Sequence, residues 1–470
     1  MNSWQRFTLS YVPPEFKGAS YLHRTFVGLL RSWRQSSWLM QWAEELAAVL
    51  VSLVFALAPF VSNTLVGVLL LACAGFWLLL TLSDETKTGL TPIHLLLLLY
   101  WGIATVATAL SPVKMAAFSG WLKLTLYLIL FALTARIMRS PRIRSWLITL
   151  YLHIALIVSV YGVRQKFFGV KALATWNDPT SALAEETRVF SYLGNPNLLA
   201  DYLLPAVILS LMAIFVWRRK VPKALALTMF VINSACLYYT GSRGGWIGLV
   251  VALAAIVLLL RYWWGEYLPR FWRTWLLPIV VASSASLLVL GMLFIEPLRL
   301  RVFSIFAGRG DSSNNFRINV WLAVIDMIRD RPILGIGPGN TAFNQVYPLY
   351  QQPKYTALSA YSIFLEVAVE TGLIGLTTFL WILIVTFNQG WVQLQRLRTS
   401  GNREGFWLIG AIASLLGLLA HNTVDTVWYR PEINTLWWLI VALIASYYRP
   451  SAQESEQVRS YAVNKGSSAS

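Results

Sequence analysis

Apolar stretches of roughly membrane-spanning length recur along the whole chain, separated by polar connections. A helix needs about 20 apolar residues to cross a hydrocarbon core of about 30 Å, and in lipid it satisfies its own backbone hydrogen bonds. The predicted spans are residues 46–61, 64–82, 92–110, 116–138, 145–163, 197–217, 222–240, 244–263, 274–295, 360–387, 405–424 and 432–448. The pattern therefore predicts an all-α polytopic membrane protein with about 12 transmembrane helices.

The orientation follows from Lys and Arg in the connections, because cytoplasmic connections retain positive charge during insertion. The connections on one side are rich in positive charge and hold Arg139, Arg142, Arg144, Arg218, Arg219, Lys220, Lys223, Arg261, Arg270, Arg273, Arg396, Arg398 and Arg403. The opposite short connections hold only Lys114, Arg243 and Arg430. We therefore predict that both termini are cytoplasmic and that the long connections 164–196 and 296–359 are external.

This topology divides the chain into five parts. They are an interfacial cytoplasmic segment (1–45), spans 1–9 (46–295), an external loop with an amphipathic helix (296–359), spans 10–12 (360–448) and a polar, Ser-rich tail predicted to be disordered (449–470). The first segment mixes basic and aromatic residues and has no apolar run of the signal-peptide type. It is expected to lie along the inner membrane surface.

Composition agrees with a bilayer as the solvent. Hydrophobic residues make up 57% of the chain, charged residues only 13%, and the net charge is +17. Because the topology accounts for this charge, no nucleic-acid partner is predicted. Both cysteines, Cys73 and Cys236, fall within predicted spans, so neither a disulfide framework nor a cysteine metal site is expected. No metal or other cofactor is predicted.

Ionisable residues within spans mark candidate functional positions, because each costs about 2.5–3.5 kcal/mol on insertion scales. They are Lys123, His153, Asp201, Glu366, Glu370, His421 and Asp425. Glu366 and Glu370 stand one turn apart on one helix face, which fits either a polar seam between helices or a ligand site. For Lys123 and His153 structural pairing is favoured.

The predicted external connections carry candidate anion ligands. Arg188 precedes Asn195-Pro196, where Asn195 can cap the sixth span and Pro196 fits its first turn; that pair alone is a helix start. Arg243 stands at the start of the eighth span among glycines, where a helix N-terminus and a close backbone favour an anion. The alternative is a tight turn with an interfacial arginine. Arg317, in the long loop, is a second anion candidate.

A glycine run at Gly335, Gly337 and Gly339 follows in the same loop. No predicted strand precedes it and no lysine follows it as in a phosphate-binding P-loop. The run also lies on the predicted external side, away from cytosolic nucleotides. No nucleotide site is therefore predicted.

Four segments together resemble the O-antigen ligase and polymerase superfamily. They are Gly241-Ser242-Arg243-Gly244, the helix from Arg317 to Trp321, Pro332 to Asn340 with its three glycines, and Leu365 to Leu373 with Glu370-Thr371-Gly372. The resemblance covers roughly residues 180–380. It implies a membrane glycosyltransferase (GT-C-like) fold and metal-independent transfer of a glycan from a polyprenyl pyrophosphate to an acceptor hydroxyl. Two arginines would hold the pyrophosphate, and a histidine would deprotonate the acceptor.

The chain departs from this pattern at the position of the catalytic base. The family's His-Asn falls on Tyr361-Ser362, and a phenol with a pKa of about 10 is a poor base at neutral pH. Of the four histidines only His421 lies toward the predicted outer surface, with Asp425 one turn away to orient it. His421 is therefore either a substitute base or a helix-end histidine satisfied by that aspartate.

The departure, the stretch Tyr361 to Glu366 and the basic aromatic N-terminus resemble a cyanobacterial branch described as bicarbonate, or inorganic-carbon, transporters. That resemblance implies a small anion bound by Arg243 and Arg317, in the plasma membrane or the thylakoid membrane, with Asp201, Glu366 and Glu370 available for ion coupling. The sequence shows no inverted repeat and no broken helix pair of the transporter type. Three functions stay open: anion transport, lipid-linked glycan transfer with an altered base, and binding without activity.

Overall fold

The computed structural model describes residues 3–9, 29–83, 90–171, 173, 186–425 and 428–449. These residues fold into helices joined by turns and loops, with no β-strand among them, which confirms the all-α prediction. The tail predicted to be disordered lies, apart from Arg449, outside the described residues, as does most of 172–185 in the first long connection.

Eighteen α-helices are described. In chain order they are α1 (Ser3–Phe7), α2 (Arg31–Ser36), α3 (Trp38–Gln41), α4 (Ala43–Leu57), α5 (Asn63–Ser83), α6 (Pro92–Ala109), α7 (Lys114–Ile137), α8 (Pro141–Phe168), α9 (Pro196–Val216), α10 (Lys220–Tyr239), α11 (Arg243–Trp264), α12 (Arg270–Phe294), α13 (Glu296–Phe306), α14 (Ser312–Asp330), α15 (Asn340–Val346), α16 (Ile363–Thr399), α17 (Gly405–Val424) and α18 (Pro431–Ser446). Short 3₁₀ turns occur at Ser191–Leu193, Gly308–Gly310 and Tyr347–Leu349.

Within the described residues, 10 helices are long and apolar enough to cross a membrane: α5 to α12, α16 and α17. The chain is therefore an integral, polytopic membrane protein. The first and last predicted spans form α4, of 15 residues, and α18, of 16 residues, both shorter than the roughly 20 residues of a full crossing. Every residue of α18 after Pro431 is buried inside the bundle, so its apolar composition reflects packing against protein.

Helices α9, α11 and α17 pack against one another. At the crossing of α11 and α17, a Cβ added to Gly248 would lie 2.6 Å from the carbonyl oxygen of Gly417. Only glycine permits so close an approach of two helix backbones. The start of α11, the start of α9 and the end of α17 consequently meet at one end of the bundle, which we call the site end.

Helix α16 is broken, which the sequence did not predict. Gly372 has φ 69° and ψ −174°, outside the helical region, and the helix resumes after it. The freed backbone groups bind the preceding loop: the N–H groups of Ile336 and Gly337 donate to the carbonyls of Val369 and Glu370, each at 2.9 Å, and Leu373 N–H donates to Pro332 O at 2.8 Å. The break therefore fixes the loop 332–339 on the bundle.

Helix α16 is also longer than predicted. It spans 37 residues and reaches Thr399, beyond the predicted end at 387. Its last turns bury polar side chains, including Gln389 and Gln393, against the bundle, so they lacked the apolar signal on which the prediction depended. Near its middle, Trp381 Nε1–H donates to Phe7 O at 2.7 Å, which anchors α1 to α16.

Helix α12 has no buried residue, and the short helix α13 follows it. Helix α14 is the amphipathic helix predicted in the external loop; it ends at Asp330 and buries Val320, Ala323, Val324 and Met327 along one face. Helices α13 and α14 both bring side chains to the site end.

Candidate functional site

Arg243 is fixed at the first turn of α11. The cap residue Ser242 accepts the N–H of Gly245 with its hydroxyl at 3.2 Å, which starts the helix directly at Arg243. The guanidinium donates through Nη1 to Ser304 O and Oγ at 3.1 and 3.0 Å. Through Nη2 it pairs with Asp311 Oδ1 at 2.9 Å. The first turn of α11 is thereby joined to the residues that enter α14.

The turn before this helix requires a glycine. Gly241 has φ +60°, in the left-handed region. A Cβ there would lie 3.3 Å from Arg301 Nη2 and 3.4 Å from Arg188 Nε. Gly241 therefore lets two further guanidinium groups lie against the backbone beside Arg243.

Arg188 approaches from the segment before α9. Its Nε donates to Thr240 O at 2.8 Å, and its Nη2 donates to Asn197 Oδ1 at 3.0 Å. Burial, and after it the positive charges of Arg301 and Arg243, lower the pKa of Arg188 to about 9. The pKa shift reports crowded positive charge in a place with little water, a condition that a bound anion would relieve.

Arg317 approaches from α14. Its Nη1 donates to Ser313 Oγ at 2.7 Å, and its Nη2 lies 3.4 Å from Asp425 Oδ2. Its Nε is buried and has no hydrogen-bond partner among the described residues. A buried donor without a partner costs about 1–3 kcal/mol, so this N–H is a ready contact for a ligand oxygen.

Arg301, on α13, is a site residue that the sequence did not single out. It is 8% exposed, and its Nη2 lies 3.4 Å from Glu186 Oε2. Burial lowers its pKa below the ordinary arginine value. No motif surrounds Arg301 in the sequence. It is identified only in the structure, where α13 brings it beside the other arginines. We call Arg188, Arg243, Arg301 and Arg317 the arginine cluster.

Three carboxylates, Glu186, Asp311 and Asp425, pair with members of the arginine cluster. Asp425 is 3% exposed, and its Oδ2 also accepts from Asn197 Nδ2 at 2.7 Å. Asn195 caps α9, since its Oδ1 accepts the N–H of Asn197 at 2.8 Å and of Leu198 at 3.4 Å. This oxygen therefore positions α9 and is not directed at a ligand.

The contact predicted between His421 and Asp425 is wrong, because His421 faces Asp201 instead. His421 Nδ1 lies 3.0 Å from Asp201 Oδ1, and both side chains are fully buried. The carboxylate of Asp201 also accepts from Asn422 Nδ2 at 3.1 Å through each oxygen. Gly244 covers the ring: a Cβ there would lie 2.5 Å from His421 Cδ2. An acceptor could reach this imidazole only if the first turn of α11 moved.

Tyr361 lies at the edge of the site. Its carbonyl accepts from Trp321 Nε1 at 3.1 Å, and its ring packs edge-on against Phe316 with centroids 5.4 Å apart. Burial, and after it the negative charge of Asp425, raise the pKa of the phenol above its usual value of about 10. These surroundings disfavour the phenolate that a base at this position would require.

Glu366 and Glu370 lie outside the arginine cluster and hold loops to α16. Glu366 Oε2 accepts the N–H of Ala360 at 2.6 Å, and Glu370 Oε1 accepts the N–H of Gly339 at 2.7 Å. The glycine run permits close packing: Gly337 and Gly339 both have φ +97°, and a Cβ on Gly339 would lie 2.6 Å from the Cα of Gly120. These glycines serve the docking of the loop on α7.

The pairing predicted for the other two intramembrane residues is only partly found. His153 Nδ1 lies 2.7 Å from Thr149 O within its own helix, on an exposed face. Lys123 forms no ion pair with any described residue and lines a cavity beside Glu366 and Glu370. The prediction of a structural partner is therefore wrong for Lys123.

Comparison with known proteins adds one finding. Residues 228–380 match a family model described as O-antigen ligase. This range runs from α10 to α16, contains Arg243, Arg301 and Arg317, and lies within the region 180–380 in which the sequence resembles that superfamily. A search of curated proteins found no match to the chain. The match supports the superfamily, whereas the cyanobacterial transporter branch stays a prediction.

Proposed function

We propose that this protein binds the pyrophosphate of a polyprenyl-linked glycan at the arginine cluster and transfers the glycan to an acceptor hydroxyl. The observation that carries the proposal is the convergence of four guanidinium groups from α11, α13, α14 and the segment before α9. The O-antigen ligase match over residues 228–380 supports the same class of substrate.

The number of arginines favours a diphosphate over a single small anion. One guanidinium fork and one helix N-terminus would suffice for bicarbonate, which carries one charge. A pyrophosphate carries several charges and has oxygens enough for several forks. Burial, and after it the neighbouring charges of Arg301 and Arg243, lower the pKa of Arg188, as expected where guanidinium groups crowd together away from water.

The reaction follows from this placement. The acceptor hydroxyl oxygen attacks the anomeric carbon of the glycan, and the bond from that carbon to the pyrophosphate oxygen breaks. The electron pair remains on the pyrophosphate, where the guanidinium groups stabilise the developing charge. The proton of the hydroxyl passes to a base of the protein.

Asp425 is the base that we propose. Tyr361 has a raised pKa, and His421 is fully buried under Gly244. The carboxylate of Asp425 directly contacts Arg317, so it lies beside the place proposed for the pyrophosphate. A carboxylate acts as base in inverting glycoside chemistry, which has a similar transition state. Asp201 and His421 would position the start of α11 and the end of α17.

The test uses the full chain in lipid nanodiscs that contain a polyprenyl-pyrophosphate-linked glycan and a hydroxyl acceptor. We expect the wild type to release polyprenyl pyrophosphate and Asp425→Asn to lose at least about 100-fold in rate while still binding pyrophosphate. Asp326→Asn, an exposed change on α14 that removes only a surface ion pair, is the matched control. No turnover by a folded wild type with several glycan donors would contradict the proposal.

Bicarbonate transport is the second function and stays a prediction. The broken helix α16 is a feature of many transporters, but the carbonyls freed at its break bind the loop 332–339. Uptake of radiolabelled bicarbonate into liposomes under Na⁺ or H⁺ gradients tests it. Saturable uptake that Arg243→Ala and Arg317→Ala abolish would favour transport over transfer.

A further inference from the structure

A polar cavity separate from the arginine cluster lies between the loop at Pro338 and helices α6, α7, α16 and α18. Its volume is about 70 Å³, and none of the four clustered arginines lines it. Its wall carries Lys123, Glu366, Glu370, Asn434 and Trp438. These side chains come from three membrane-embedded helices, so each polar group there is costly unless it has a partner.

A lysine and two glutamates share this cavity without pairing. Lys123 forms no ion pair within 4.0 Å of Glu366 or Glu370, although all three line the same space. Each carboxylate has one oxygen on a backbone N–H, from Ala360 and from Gly339. The second oxygen of each has no hydrogen-bond donor among the described residues. The cavity thus has an amino group on one side and two carboxyl groups on the other, with a gap between them.

Two further residues that line this cavity each have a buried polar atom without a hydrogen-bond partner among the described residues. Asn434 is 8% exposed, and its Oδ1 accepts no hydrogen bond from the described residues. Trp438, one turn further along α18, is 3% exposed, and its Nε1–H donates none. One is an acceptor and the other is a donor, so a ligand that satisfies both must itself both donate and accept.

A primary ammonium group has three N–H donors, and the free oxygens of Glu366 and Glu370 with Asn434 Oδ1 supply three acceptors. The Lys123 ammonium and the Trp438 N–H are both donors and suit an anionic oxygen. The rings of Tyr100 and Tyr127, which also line the cavity, favour a cation near their faces. All of these groups are satisfied together by a dipolar molecule that bridges the gap.

We propose that this cavity binds a phosphoethanolamine group, with its ammonium toward Glu366 and Glu370 and its phosphate toward Lys123. The group comes either from a free molecule or from the headgroup of a phosphatidylethanolamine lipid. The proposal rests on the cavity alone and does not require the transferase activity.

The experiment uses the full chain in phosphatidylcholine nanodiscs and measures affinity by calorimetry and by the unfolding temperature. Phosphoethanolamine is compared with phosphocholine, which keeps the phosphate but has no N–H donor, and with ethanolamine, which lacks the phosphate. We expect phosphoethanolamine to bind at least about tenfold more tightly than either of the other two molecules. Equal responses of the wild type to all three molecules would overturn the proposal.

A comparison of nanodisc lipids distinguishes a free phosphoethanolamine molecule from a lipid headgroup. If the group belongs to a lipid, nanodiscs with phosphatidylethanolamine raise the unfolding temperature of the wild type and abolish the response to soluble phosphoethanolamine. If it is a free molecule, the lipid has no such effect and the soluble response remains. The proposal fails if neither the lipid nor the soluble molecule changes the unfolding temperature.

Variants locate the site. Glu366→Gln and Lys123→Gln should each weaken phosphoethanolamine binding about tenfold or more, because each removes one charge from opposite sides of the gap. Lys114→Gln, an exposed change at the start of the same helix α7 and outside the cavity, should leave the affinity unchanged. If Lys114→Gln weakens binding as much as Lys123→Gln does, the ligand is not in this cavity.

Discussion

Replacing Arg317 tests the arginine cluster most sharply, because its Nε–H is buried and unpartnered while its two Nη groups have partners. Arg317→Ala removes one charged donor from the proposed pyrophosphate. A hydrogen bond to a charged group is worth roughly 1.5–3 kcal/mol, and about 1.4 kcal/mol corresponds to a tenfold change in affinity. We therefore expect Arg317→Ala to bind pyrophosphate roughly 10- to 150-fold more weakly than the wild type.

Arg317→Lys separates charge from geometry. Lysine keeps the positive charge but has neither the Nε–H nor the planar fork. Its affinity for pyrophosphate should fall between those of the wild type and Arg317→Ala. Isothermal titration of inorganic pyrophosphate into the nanodisc-embedded chain measures all three.

The change also removes the ion pair of a buried carboxylate. Asp425 is 3% exposed, and losing one partner of a buried pair costs about 3–5 kcal/mol of stability. The double variant Arg317→Ala/Asp425→Asn removes both charges, so it should recover much of the stability but not the affinity. If the double variant recovers stability but not affinity for pyrophosphate, the lost binding is not a folding defect.

Arg329→Ala is the matched control, because Arg329 lies on the same helix, has a side chain 74% exposed and, among the described residues, forms an ion pair only with Asp326. It should bind pyrophosphate as the wild type does. The reasoning is refuted if folded Arg317→Ala binds pyrophosphate within about twofold of the wild type, or if Arg329→Ala loses as much affinity.

Three further substitutions test the supports of the site. Gly372→Ala should lower the free energy of unfolding by about 2 kcal/mol or more, since φ is +69° and a Cβ would overlap Ile333 O. The control Gly75→Ala, with open space around it, should not lower it. Equal denaturation curves for the two variants would contradict this prediction. Gly241→Ala should cost about 1–2 kcal/mol in strain and weaken pyrophosphate binding in titration. An unchanged affinity would contradict the role of this turn in placing the guanidinium groups. Asp201→Ala should cost about 3–5 kcal/mol in denaturant unfolding, because His421 stays buried without its carboxylate; a loss below about 1 kcal/mol would contradict that role.

The membrane helices were predictable because length and apolar composition alone identify a span. The exceptions have physical reasons. The end of α16 was missed because its last turns carry polar side chains such as Gln389 and Gln393, and the break at Gly372 was missed because a single glycine does not distinguish a break from close packing. Both depend on the tertiary partner, here the rest of the bundle and the loop 332–339.

The site was predictable where local chemistry marks it. Arg243 at a glycine-flanked helix start and Arg317 on an amphipathic helix have such signals, but Arg301 does not. The choice of partners was not predictable: Asp425 lies one turn from His421 in the sequence, yet it contacts Arg317, and His421 contacts Asp201. These pairs join residues far apart in the chain, so the local pattern contains no information on them.

The measurement that tests the central claim most directly is the affinity of the reconstituted wild-type chain for inorganic pyrophosphate and for bicarbonate in the same buffer. With four guanidinium groups around one site, we expect pyrophosphate to bind at least about 100-fold more tightly, the equivalent of two charge-assisted contacts. Equal affinities, or tighter binding of bicarbonate, would contradict a pyrophosphate site and favour anion transport.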